Sequence, residues 1–499
     1  MNRLCLSAAV VLMATPAARA DVTPQQVWDE VRALMESYGQ TVTVGAEEAS
    51  GDQLTVRDIV INFEMTDATS SAAIGELRFV DVGDGTVEIV LPAEYRVFSR
   101  SEPVSGEAFE MEMLIAQTAM NVLVSGDDAQ KTYDIGGDSM TVRMTGKAGD
   151  GTVEPLDATL TLAAPEGAYV VRTANGGRAF DSRFGAASMD VAVNGSDPTT
   201  GEAFSMNMSL RDMTSTSDGF LPQDVSMEDL PAALRAGLKA AGRLEYGAST
   251  FGFEGQMEGT QSRAAGTATS GTFEFAFSPE GLVYGGSGTG TEMRMESSDI
   301  PLPDLTFAVE ESDFRLAMPI TATQEPGDFG LRTTLRGLTL SESIWALVDP
   351  MSSLPRDPAT IAFDLAGKGR WFIDILDPEA AAAATAAPGE VEAVTLNALE
   401  VKLAGAELTG SGAFTLDNTD TRTFEGMPRP EGKVDLRLVG GNKLLDTLVA
   451  MGLVPQDQAM GARMMLGLFA RPGDGEDTLV STIEVTPEGQ VLANGQRLR

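Results

Sequence analysis

Residues 54–65, LTVRDIVINFEM, alternate apolar and polar side chains with a period of two. That period belongs to a strand with one face turned to a core. Leu54 and Val56 set one phase; Ile59, Ile61, Phe63 and Met65 set the opposite one. A strand whose apolar face changes parity must deform locally, so the slip predicts a β-bulge near Arg57-Asp58.

The same alternation runs through most of the chain. Phe251 and Phe253, then Phe273, Phe275 and Phe277, then Met293 and Met295, then Leu305, Phe307 and Val309 mark one face of successive strands. A repeat of about twenty residues per strand means strands well beyond the usual five or six residues. Asp84-Gly85, Asp150-Gly151 and Asn175-Gly176 are turn signals. Pro-Glu-Gly recurs at 165–167, 279–281, 430–432 and 487–489 and reads each time as a type I turn between paired strands. Short turns join antiparallel strands. The expected class is therefore mainly β: long antiparallel meander sheets with a few packed amphipathic helices, a β-rich α+β fold.

Four helices are expected, at Thr23–Tyr38, Leu230–Ala241, Ser341–Asp349 and Asn442–Met451. The first has a capping box in Thr23-Pro24-Gln25-Gln26 and a terminating Gly39. The last two belong to an internal echo. Residues 338–357, LTLSESIWALVDPMSSLPRD, return without a gap as 438–457, LVGGNKLLDTLVAMGLVPQD. Ile344 matches Leu444, Met351 matches Met451, and Leu354-Pro355-x-Asp357 matches Val454-Pro455-x-Asp457. Such an echo predicts a repeated supersecondary unit with Ile344 and Leu444 in a core. Residues 21–220 and 221–499 divide into an N-terminal and a C-terminal β-rich lobe, the second holding both helix-proline units. Glu379–Gly389, EAAAAATAAPG, reads as a surface insertion or linker.

Residues 1–20 have the three parts of a secretory signal: Arg3, the apolar run Leu4–Ala14, and Ala18-Arg19-Ala20 at the cleavage point. The expectation is export to the periplasm with cleavage after Ala20. Cys5, the one cysteine, would leave with that segment, so the mature chain would hold no disulfide. No later stretch is apolar enough for a membrane-spanning helix. A net charge of −38 makes nucleic acid a poor partner.

Histidine is absent. Without it, and without a mature cysteine, the usual zinc sites, His-based triads and cysteine nucleophiles are excluded. No Gly-x-Ser-x-Gly elbow, Walker loop or dinucleotide fingerprint occurs. No catalytic residue, cofactor or metal ligand is assigned. A carboxylate-pair hydrolase such as a glycosidase remains the enzymatic alternative, to be recognised by two buried carboxyls in one cleft. The apolar-ligand candidates are Phe251, Phe253, Phe273, Phe275, Phe277, Met293 and Met295, which form either a closed core or an open face.

The signal segment, Ile344-Trp345-Ala-Leu-Val-Asp349-Pro350, Leu354-Pro355-Arg356-Asp357-Pro358 and the closing EGQVLANGQ resemble the exported alphaproteobacterial family Domain of Unknown Function 2125. The resemblance extends over most of the mature chain and is strongest in residues 336–376 and 430–499. It implies no activity. Such proteins are broadly similar in strand-rich design to AsmA-like envelope proteins, a resemblance that implies lipid transport or outer-membrane upkeep. The absence of a membrane anchor departs from that group. The reading is a non-enzymatic periplasmic envelope protein, a scaffold for structure or for apolar ligands, with a lipid or an envelope protein as its partner.

Overall fold

The computed structural model describes residues 22–37, 39–65, 68–101, 109–148, 156–197, 200–223, 225, 229–377, 382 and 387–499. The signal segment, Asp150-Gly151 and most of Glu379–Gly389 lie outside them. Strands make up 65% of the chain and helices 12%, so the fold is mainly β. All 29 described strands join one antiparallel sheet, most of them paired with their neighbours in sequence. Strands Gly177–Ser196 and Ala203–Pro222 are 20 residues each, and Ile300–Met318 has 19. Pairing is continuous across residue 221: Ala203–Pro222 is bonded to Lys239–Tyr246.

The parity slip is real, but it is not a bulge. Arg57 faces Glu76 and Ile59 faces Ile74, so no residue is inserted. Asp58 instead adopts φ 52°, in the left-handed region, and turns the strand. Corners of this kind line up across the sheet. Ala119 (φ 54°), Ala164 (46°), Asp212 (50°), Gly290 (59°) and Gly337 (66°) fall at the same level of successive rows. Backbone bonds carry the sheet through the line: Asp138 N to Thr118 O at 3.0 Å, Ala164 N to Asp138 O at 2.8 Å, Thr269 N to Thr289 O at 2.9 Å. At several rows the strand breaks into two half-strands there, as at Ser139–Ala148 and Gln130–Gly136.

This crease divides the sheet into two walls, and each strand keeps its apolar side chains on the same side by changing parity. In Gly177–Ser196 these are Phe180 and Phe184 before Ala187, then Met189, Val191 and Val193 after it. Helix α1, Pro24–Ser37, lies in the angle. Its capping box is formed, with Gln26 N donating to Thr23 Oγ1 and Thr23 N to Gln26 Oε1. Val27 and Trp28 are fully buried against Leu54, Val56 and Phe79 of one wall and Ile59 of the other. A core drawn from both walls makes the apolar side the concave one. Lys131, buried in the same wall as Leu54, Val56 and Phe79, pairs with Glu30 of α1.

Helix α2 covers Leu230–Arg235, shorter than the expected Leu230–Ala241. Gly237 at φ 96° ends it, and Leu238 N donates to Ala233 O in a Schellman closure. Ala241 belongs to the following strand. Helix α3, Glu342–Val348, and α4, Gly441–Ala450, match expectation. A further helix, α5, spans Gln456–Phe469.

Two Pro-Glu-Gly segments, 279–281 and 487–489, are hairpin turns. The other two are not. Residues 165–167 follow the Ala164 corner into a strand, and 430–432 lie within Arg429–Val439. Proline's fixed φ also suits extended backbone, so the tripeptide does not by itself make a turn.

Candidate apolar trough

Register places the predicted residues. Phe251 pairs through Gly266 with Met293, and Phe253 pairs through Ala264 with Met295. These four share one wall. Phe273, Phe275 and Phe277 lie on the other wall, opposite Gly286, Tyr284 and Leu282. All seven face the concave side, in two groups separated by the crease at Thr269 and Gly290. Phe275 and Tyr284 are exposed, at 40% and 48%, and Met295 at 39%.

Alternation elsewhere adds residues that the sequence reading did not select. A single cross-strand row runs Val97, Met113, Met144, Ala158, Val193, Met206, Phe253, Ala264, Met295, Leu305. The adjacent row runs Tyr95, Ile115, Val142, Leu160, Val191, Met208, Phe251, Gly266, Met293, Phe307. Ten strands are crossed without one charged side chain. At 4.7–4.9 Å per strand the rows are about 43 Å long. The signal was present in FEMEMLI at 109–115 and FSMNMSL at 204–210, both of which alternate.

The ion pairs that link neighbouring strands here lie on the opposite face. Arg143 bonds Asp157 at 2.7 Å, Arg263 bonds Glu254 at 2.8 Å, Arg332 bonds Asp313 at 2.5 Å, and Arg96 pairs with Glu112. Within the trough, burial pushes the phenols of Tyr95 and Tyr133 up, as expected where apolar neighbours have replaced water.

The second wall continues into the C-terminal strands: Phe275, Tyr284, Leu316, Leu331, Leu365 and Leu396 form one row. It ends in a cleft of about 920 Å³ lined by Met318, Phe329, Trp371, Val391, Phe424 and Met427. Trp371 Nε1 donates to Pro319 O at 2.7 Å. The loop presenting Phe424 is held by Arg429, which bridges Asp417 and Asp420. Hydrogen bonds from Thr419 and Arg429 hold the Asp417 carboxyl down at about 2.

Among the described residues, Asp349 is the buried carboxylate. Burial alone would raise it, but the N–H groups of Ser353 and Leu354 and the nearby Arg356 outweigh that and hold it below the ordinary range. It closes the loop after α3. The two buried carboxyls of a hydrolase cleft are not found among the described residues.

Comparison with known proteins adds a family and little more. The family described as "Uncharacterized protein conserved in bacteria (DUF2125)" matches residues 251–494, a narrower span than the sequence resemblance implied. No curated protein matches the chain. Among solved structures, BauA, the ferric preacinetobactin receptor from Acinetobacter baumannii, aligns at 9% identity, covering 91% of this chain and 79% of that chain. Its TM-score of 0.20 carries no argument.

Proposed function

The chain belongs, through residues 251–494, to the DUF2125 family of uncharacterised bacterial proteins, and as that family supplies no activity, we propose from the geometry that it is a non-enzymatic exported scaffold whose trough holds apolar chains such as lipid acyl groups. The two uncharged rows carry the reading. In a chain of net charge −38, two adjacent rows that cross ten strands without a charge are explained by what that face contacts. A closed core would bury it. Here the trough beyond α1 keeps Phe275, Tyr284 and Met295 exposed. Contiguous apolar surface of this extent marks a binding surface on soluble proteins. A leaflet's hydrocarbon depth is about 15 Å, half of a bilayer core, so the rows exceed the length of one acyl chain. The signal segment at residues 1–20 supports a periplasmic address.

Displacement of a fluorescent fatty acid from the mature protein tests the reading. Saturable binding at micromolar protein is expected, and Phe275→Glu should weaken it without changing the unfolding midpoint. Absence of saturable binding by the wild-type protein overturns the proposal.

A further inference from the structure

Both helix-proline units project from one end of the sheet. Leu340 leads into α3, Val439 leads into α4, and the turn after Leu403 lies between them. Pro355 of the first unit and Gly440 of the second both pack on Gly405 in that turn. The units therefore form one lip, and Leu340, which precedes α3, pairs with Phe307 at the end of an uncharged row.

The lip displays its apolar residues outward. Helix α5 turns its small side inward, with Ala459 buried and Leu466 half-buried. Met460, Met464 and Leu468, at i, i+4 and i+8, form the stripe on its exposed side. Met464 is 73% exposed, and Met351 of the first unit is 81% exposed. Leu347 and Leu453 of the two units are exposed as well. Long, unbranched methionine side chains suit a soft, irregular partner.

Resting on the trough reading, we propose that this lip docks on the surface of an electrically neutral lipid bilayer and is the place where apolar chains enter or leave the trough. Charge selects the partner. Residues 441–470 carry Lys443 and Arg463 against Asp446 and Asp457, and Arg463 pairs with Asp446. Residues 341–358 add Glu342, Asp349 and Asp357 against Arg356, so the lip carries a net charge of only −2 in a chain of −38. It has no cationic surplus for anionic headgroups, and two copies of so acidic a chain repel each other. An amphipathic helix lying on an interface binds through its buried apolar area.

The test is flotation of the mature protein with phosphatidylcholine vesicles, repeated with added phosphatidylglycerol and across salt concentrations. Wild type should float with phosphatidylcholine alone, independently of salt. The double variant Met460→Glu/Met464→Glu should lose about tenfold or more in association, while retaining the wild-type unfolding midpoint and fatty-acid displacement. Wild type that stays with the soluble fraction overturns the inference, as does a requirement for phosphatidylglycerol or equal flotation of the double variant. A dimer in sedimentation velocity that these substitutions dissociate would assign the patch to a second copy and also overturn it. Flotation without fatty-acid displacement would leave the lip standing and remove the trough; displacement without flotation would do the reverse.

Discussion

Gly290 shows how one position bends a sheet. Its φ is 59°, and a Cβ there would lie 2.4 Å from Thr269 Oγ1 on the neighbouring strand. Gly290→Val combines a left-handed conformation, unfavourable for a β-branched residue, with that clash, and should cost about 1–3 kcal/mol. Urea unfolding should show a lower midpoint at unchanged slope; an unaltered midpoint would mean that the corner does not constrain the strand. Only part of the crease was legible in the sequence. Asp58 was visible because its strand changes parity within one continuous run. Ala119 and Ala164 carry no such mark, since alanine has no preference for φ near 50°. Their conformation follows from their level in the sheet, where rows on either side already turn.

The repeated unit was legible as a helix followed by a proline loop, and both copies have that form. They diverge after Pro355 and Pro455. Ala359 and Ala459 are both buried, yet the first opens a strand and the second lies within α5. Asp349, which accepts the loop N–H groups of the first unit, is Val449 in the second, so that loop closure is lost. There Asp477 accepts from the N–H groups of Asn442 and Lys443 at the start of α4. Ile344 and Leu444 are half-buried in both copies, not enclosed as expected. Ile344→Asp and Leu444→Asp should each destabilise by about 1–3 kcal/mol, because a charge would replace a packed apolar group. Two unchanged melting curves would show that neither helix is anchored by that residue. The end of α2 was missed for a local reason. Leu238 and Ala241 fit a helical stripe by spacing, but Gly237 reverses the chain before they are reached.

At the scale of the whole molecule, a creased open sheet exposes more surface than a globule. The accessible area is 29161 Å², against about 17,600 Å² for a compact monomer of this mass. Small-angle scattering of the mature protein should therefore give a radius of gyration above the roughly 23 Å of a compact chain of this length; a value at or below it would mean a closed core. Strand alternation made the β class readable. It could not distinguish several sheets from one, because alternation reports which face is apolar and not where pairing stops. The C-terminal cleft was not readable either, since Phe329, Trp371 and Phe424 meet only through distant register. The nearly sequential order of the strands has a kinetic corollary. Most rows depend on the rows beside them, so coupling is close to one-dimensional, as in solenoids. A chain delivered from its N-terminus can close α1 over the first rows and add each later strand to a template already in place. Loop-closure entropy stays small at every step. Denaturation should then fray inward from an end, with rows far from the α1 core protecting their amides least.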